Sequence, residues 1–123
     1  MEYQHEGNVL FEAIGHRDWQ EARLICEEHP HLINTHRAVW NGETPLLHAM
    51  TRKPPAPEDL MLLMVEKATV GNIEYENPVE ENIMSHLAMH MYTSALRCAL
   101  KKSPRKIIMK KSYSVFSNLI KAA

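Results

Sequence analysis

Apolar positions in this chain recur at helical spacing in short blocks, and a turn signal closes each block. In "NVLFEAIG", residues 8–15, Val9, Leu10, Ala13 and Ile14 share one stripe, which predicts a helix. Asp18 then has the chemistry of an N-cap. Trp19, Ala22, Leu24, Ile25 and Cys26 follow near helical period, with Glu21 in the first turn. Pro30 ends this second helix. Asn41-Gly42 marks a tight turn. Thr44-Pro45 opens a further helix, because Thr caps it and Pro suits the first helical position. Leu46, Leu47, Ala49 and Met50 form its apolar side. No helix survives "RKPPAPED", residues 52–59, since proline lacks the N–H donor and clashes with the preceding turn. Residues 58–68 are nearly all apolar and predict a buried helix. Residues 71–81 predict a loop or extended finger. Two more helices are expected over 83–92 and 94–102, and Ser103-Pro104 stops the second. Val115, Phe116, Leu119 and Ile120 are spaced for one face of a short terminal helix.

The order is helix, short turn, helix, long finger, and then the same again. Leu10, Leu46 and Met84 occupy equivalent places, 36 and 38 residues apart, and Asn34 and Asn72 also differ by 38. Periods in the thirties are the mark of stacked helical arrays. Each helix pair in such an array exposes an apolar face that only a neighbouring pair covers.

The stretch "GETPLLHA", Gly42 to Ala49, resembles the opening of an ankyrin repeat. Thr44, Pro45, Leu46 and Ala49 fit the family's pattern. The histidine is displaced by one, with Leu47 where it is expected and His48 after it, which weakens the usual Thr–His hydrogen bond. An earlier unit resembles the family less strictly, through Leu10, Ala13 and "RDWQEARLICEEHPHLIN" ending at Asn34. In a later one, His86-Leu87-Ala88 is similar to the family's His-Leu-Ala, but its Thr-Pro is missing. The resemblance spans roughly residues 8–102. It implies an all-α fold, an ankyrin-like array in one domain over 1–123. The units fall at about 8–40, 41–78 and 79–102, followed by a basic segment and a C-terminal capping helix over 103–123. It also implies protein–protein binding without catalysis, in an adaptor, inhibitor or effector role.

Composition narrows the classes. The 123 residues are 45% hydrophobic, ordinary for one globular domain. Four glycines leave little room for an all-β plan with many tight turns. The longest strongly apolar run, Leu60 to Val65, is far too short to cross a bilayer. The N-terminus has no basic n-region or apolar h-region, so a cytoplasmic or nuclear protein, or one delivered into a host cell without a classical signal, is expected. The two cysteines, Cys26 and Cys98, lie in apolar helical contexts and read as buried thiols in a reducing compartment. The net charge of −1 conceals a split. Residues 1–81 hold all 15 acids and 6 of the 14 Lys and Arg, for −9, while 82–123 hold 8 basic residues and no acid, for +8.

The sharpest candidate for chemistry is "IMSHLAMHM", residues 83–91, where His86 and His90 sit four apart and share a helix face. Zinc metalloproteases use that spacing, but with Glu directly after the first His and a third ligand. Leu87, Ala88 and Met89 intervene here, and no acid follows Glu81. A packing role for His86 and a concave-face or turn position for His90 are the expectation. His29, His31 and His36 flank Pro30 and read as polar turn surface. Neither cysteine has an activating neighbour, no Gly-x-Ser-x-Gly occurs, and no Gly-rich phosphate loop occurs. No catalytic residue, metal or cofactor is expected.

The expected protein-binding residues are Trp40 and Asn41 at a hairpin tip, Tyr75 in the next finger, and Glu43, Glu76 and Glu80 as an acidic rim. Arg52, Lys53 and His90 border the groove. Rigid aromatic tips make good interface anchors. A second reading is nucleic-acid or anionic-membrane binding through Lys101, Lys102, Arg105, Lys106, Lys110 and Lys111, although aromatics for base stacking are sparse there. Ser103-Pro104-Arg105-Lys106 also resembles a proline-directed kinase site.

Overall fold

The computed structural model describes residues 2–36, 43–75 and 83–103, with the side chains of 2–8 left aside. The expected Asn41-Gly42 turn and the terminal helix with Val115 and Phe116 lie outside the described residues. Within them the chain is all-helical, with no strand. The elements are α1 (Glu2–Gly15), α2 (Trp19–Glu28), a 3-10 turn (Pro30–Asn34), α3 (Pro45–Met50), α4 (Glu58–Lys67), α5 (Val70–Ile73), α6 (Ile83–Met89) and α7 (Thr93–Lys102).

The starts of these helices follow local chemistry. Asp18 accepts the Glu21 N–H at 3.2 Å and Thr44 accepts the Leu47 N–H at 3.3 Å, each covering one donor that the first turn leaves open. Thr69 does the same for Asn72 at 3.2 Å. That cap turns part of the expected 71–81 finger into the one-turn helix α5. Two of the ends share another device. Arg17 and Met91 have φ of 58° and 61°. Around Arg17, the Asp18 N–H donates to the Ala13 carbonyl and the Arg17 N–H to Ile14. Around Met91, the Tyr92 N–H donates to Leu87 and the Met91 N–H to Ala88. Both are the paired bonds of a left-handed helix stop. This is why α6 ends at Met89 and not at Tyr92 as its periodicity suggested. The Ile83–Tyr92 pattern includes a reversal that neither glycine nor proline announces. At the other end of the chain, α1 runs back to Glu2, beyond the 8–15 stripe that predicted it.

The helices pack as pairs: α1 on α2, α3 on α4, and α6 on α7. The pairs stack in two rows, α1–α3–α6 and α2–α4–α7, with the α4–α7 contact the most extensive. Several polar contacts between neighbouring pairs recur at one separation in sequence, while others range from 29 to 39 residues. Arg17 Nη1 donates to the Lys53 carbonyl at 3.2 Å, Arg23 pairs with Asp59 at 2.6 Å, and the Ser94 N–H donates to the Glu58 carboxylate at 3.0 Å. The Tyr92 hydroxyl donates to the Ala56 carbonyl. Each of these spans 36 residues.

The core is one cluster running through all three pairs. It takes Leu10, Ala13 and Ile14 from α1, Ala22, Ile25 and Cys26 from α2, and the fully enclosed side chains of α3. Leu60, Met61, Met64 and Val65 come from α4, as its apolar run predicted. The third pair supplies Ile83, Met84, Leu87, Ala88, Ala95, Leu96 and Ala99. Leu10, Leu46 and Met84, equivalent in sequence, are all buried. Two stripe residues face out instead, Val9 and Leu24. Among the described residues no helix is long and apolar enough to cross a membrane.

Candidate functional site

The nine residues singled out as an interface meet different fates. Trp40, Asn41, Glu76 and Glu80 lie outside the described residues. Glu43 is turned inward: only 9% exposed, its carboxylate meets His48 Nδ1 at 3.1 Å. It was expected on an acidic rim, and the correction has a local cause. Thr44-Pro45 starts α3 immediately after Glu43, so a side chain one turn into the helix reaches back over its start. His48 is itself buried, with its ring 5.6 Å from Phe11 of α1. The pair therefore fastens the head of α3 beneath α1.

Tyr75 is half-buried. Its hydroxyl lies 3.2 Å from His36 Nε2 and the two rings meet edge to face at 5.3 Å. Partial burial, then the Glu43 charge, raises its hydroxyl pKa above the ordinary value. His36, exposed just after the 3-10 turn, is thus part of the Tyr75 environment. The sequence had given it only a surface role.

Arg52, Lys53 and His90 come together differently. Each sits where an inner-row helix gives way to the turn toward its outer partner. Counting 36 residues back from Arg52 and Lys53 reaches His16 and Arg17, and 38 forward reaches His90 and Met91. The Arg17–Lys53 bond and the Tyr92–Ala56 bond put these turns side by side. The result is one edge of the stack, which we call the turn edge. His16, Arg17 and Lys53 are exposed on it and Arg52 is half-buried. Met89 and Met91 are 53% and 60% exposed, with His90 between them. His16, Arg17 and the two methionines were not anticipated. The signal that finds them is the same 36–38 spacing that located the helices, carried past the helix ends into the turns.

Charge along this edge is not uniform. Among the described residues Arg17, Arg52 and Lys53 make no ion pair, whereas Arg23 on the outer row pairs with both Asp59 and Glu27. Arg52 Nε is buried and has no hydrogen-bond partner among the described residues. At the third pair the character changes. Desolvation lowers the His90 pKa, so its imidazole stays neutral at neutral pH. Its ring lies 5.7 Å from Tyr92 and stacks on His86 at 6.0 Å with the planes 15° apart.

Other candidates have structural employment. Burial pushes the Cys26 thiol up to about 12, which removes the thiolate that nucleophilic chemistry needs. Cys98 is half-buried, and both cysteines are free thiols. Lys102 Nζ donates to the carbonyls of Val65 at 2.9 Å and Ala68 at 2.8 Å, and to that of Glu66. It thereby caps the C-terminal end of α4 with a cation, the sign that end favours. The Ser103 hydroxyl donates to the Glu74 carboxylate. Among the described residues no three His, Cys, Asp or Glu side chains gather closely enough to hold a metal ion.

No family model matches the chain, and no curated protein or solved structure shows significant similarity to it.

Proposed function

We propose that the chain is a non-catalytic protein-binding module built as a short ankyrin-like stack of three helix pairs. The observation that carries this reading is the 36-residue separation that recurs among polar contacts between successive pairs. A recurring offset is what stacked copies of one unit produce, because each copy presents similar positions to the next. The Thr44-Pro45 helix opening, with Thr44 capping Leu47, supports it further. Departures from the family pattern remain: His48 bonds Glu43 in place of the threonine, and α6 has no Thr-Pro before it. Stacks of this kind bind partners through rigid surfaces that cross several units. Exposed and half-buried residues of the turn edge, together with Trp40 and Tyr75, are the proposed contacts.

Binding through the basic C-terminal segment is the second reading, in which the partner is a nucleic acid or an anionic membrane. One observation weighs against it: the Lys102 ammonium is already committed to the end of α4.

The test is affinity capture on the immobilised full chain, with mass spectrometry and nucleic-acid staining of the eluate. A protein retained by the wild type and lost by either Trp40→Ala or Lys53→Glu, with unfolding midpoints unchanged, supports the proposal. An eluate dominated by nucleic acid, and abolished by Lys106→Glu/Lys110→Glu, supports the second reading.

A further inference from the structure

We infer that the turn edge is a docking strip for an acidic peptide segment that carries an apolar side chain at one end. This deepens the protein-binding reading and rests on it.

Two independent observations lead there. The first is a group of cations on neighbouring turns. Arg17, Arg52 and Lys53 lie on neighbouring turns without an ion pair among the described residues. Arg17 uses one nitrogen on the Lys53 carbonyl, beyond the end of α3. That bond leaves the Lys53 ammonium free for a ligand, whereas Arg52 Nε is buried, so Arg52 can meet a ligand only through its other nitrogens. Of the acids near these turns, Asp59 is paired with Arg23. Exposed carboxylates bound the strip: Glu12 one turn before His16, Asp18 beside Arg17, and Glu58, which holds the Ser94 N–H and whose charge acts on Tyr92.

The second observation is the change of chemistry at the third pair. In register with the cations stand Met91 and, beside it, Met89 and the neutral His90. Both methionines are more than half exposed, at the left-handed stop where Met91 has a φ of 61°. Flexible thioethers at a surface suit contact with an apolar side chain of variable shape. His90, with its ring between Tyr92 and His86, supplies a polar atom beside that contact.

A ligand that satisfies both observations has carboxylates over the first two turns and an aliphatic or aromatic group over the third. Carboxylates match guanidinium groups by paired hydrogen bonds, which is why Arg17 and Arg52 recognise this class better than a diffuse anion. The proposed ligand is opposite in charge to the basic partner that the acidic finger region would select, so the two surfaces make separate predictions.

The test uses the full chain and three fluorescein-labelled dodecapeptides followed by anisotropy: an Asp/Glu peptide ending in Leu-Phe, the same peptide ending in Ser-Gly, and a Lys/Arg peptide. The strip requires the acidic Leu-Phe peptide to bind best, more weakly as salt rises. Arg52→Glu/Lys53→Glu is expected to weaken it at least about tenfold, and Met89→Ser/Met91→Ser several-fold. The methionine variant should leave the Ser-Gly peptide unaffected. Thermal unfolding of each variant checks that the fold is retained. Equal affinity in the charge-reversed variant overturns the strip. So does a single-stranded DNA oligonucleotide that competes as well as the acidic peptide. Selective binding of the Lys/Arg peptide overturns the strip but leaves the protein-binding reading standing, since it moves the site to the fingers. Failure of all three peptides, together with a nucleic-acid eluate in the capture experiment, overturns both.

Discussion

The middle and third inner helices start from similar sequences and end up in different environments. In α3 every residue from Pro45 to Met50 is buried, and its histidine is closed in between Glu43 and Phe11. In α6 the apolar positions Ile83, Met84, Leu87 and Ala88 are buried, but Ser85 and His86 are only partly covered and Met89 is exposed. The difference follows from position in the stack. α3 has α1 on one side, α6 on the other and α4 beneath, so each of its faces meets protein. A helix enclosed in this way spends its polar groups on holding itself together. A less enclosed one keeps polar and soft side chains at the surface, and these are the groups that can meet a partner. Glu43 to Ala49, from the stretch that resembles an ankyrin opening, are all buried.

The contrast is most directly broken by truncating one apolar side chain in each helix. Leu47→Ala removes a side chain only 1% exposed and should cost about 2–5 kcal/mol. Met89→Ala should stay within about 0.5 kcal/mol. Urea unfolding monitored by circular dichroism measures both, and equal losses would remove the distinction. A smaller effect sharpens it at the level of the histidines. His48→Ala takes the imidazole from the buried Glu43 carboxylate and should cost about 1–3 kcal/mol. His90→Ala, on the turn, should cost less than about 1 kcal/mol while weakening the acidic Leu-Phe peptide.

Which parts were legible in the sequence follows from how far each signal reaches. Asp18 and Thr44 were readable as caps because a cap bonds three residues ahead, and both bonds form. The burial of one face of α4 was readable from the stripe of Leu60, Met61, Met64 and Val65, although Leu62 and Leu63 on the other side are only half-buried. The inward turn of Glu43 was not, since it depends on His48 and on Phe11 from a separate helix. Tyr75 was expected to project from a finger. Its tie to His36, 39 residues earlier, is a contact between units that periodicity does not encode. Of the proposed site, Arg52, Lys53 and His90 were suggested singly as groove-border residues. Their alignment with Arg17 and Met91 emerged from the bonds between turns. The stop at Met91 was hidden for a different reason: a left-handed C-terminus is usually written with glycine, and this chain uses methionine there and arginine at the equivalent Arg17.

Those two stops define a prediction of opposite sign. A residue with a Cβ in the left-handed region pays a steric cost that glycine does not. Arg17→Gly and Met91→Gly should each raise stability by about 0.5–1 kcal/mol. Neither should alter the helix content. The middle pair makes the comparison useful. Its turn runs through "RKPPAP", where no described residue other than glycine has positive φ, so Lys53→Gly should destabilise slightly if it has any effect. If Met91→Gly stabilises yet weakens the acidic Leu-Phe peptide, the strain at that turn serves to present the thioether. If it destabilises, the left-handed stop is not carrying strain.

The smallest effect concerns reactivity more than stability. Cys26 is wholly buried in α2 and its thiol pKa is pushed up to about 12, first by desolvation and against the opposing pull of Arg23. Cys98 on α7 is half-buried. At pH 8 the folded chain should therefore react with a thiol reagent at Cys98 alone, and Cys26 should become reactive only on global unfolding. The sign of the linked pH dependence follows. The raised folded-state pKa means that the neutral thiol is the form the core accommodates. Its contribution is fully present below the unfolded thiol's pKa, near 8.5, and is lost as pH rises from there toward about 12. Tyr92, also raised to about 12 by burial and then by the Glu58 charge, adds a second loss that begins above about 10. A urea midpoint that rises slightly from pH 6 to 7, through the lowered folded-state pKa of His90, stays level to about pH 8 and falls above about 9 is the expected curve, with Cys26→Ala reducing the first part of the fall. A Cys26 that reacts as fast as Cys98 at pH 8 would mean that α2 opens readily, and the sealed interior would then extend no further than the middle pair.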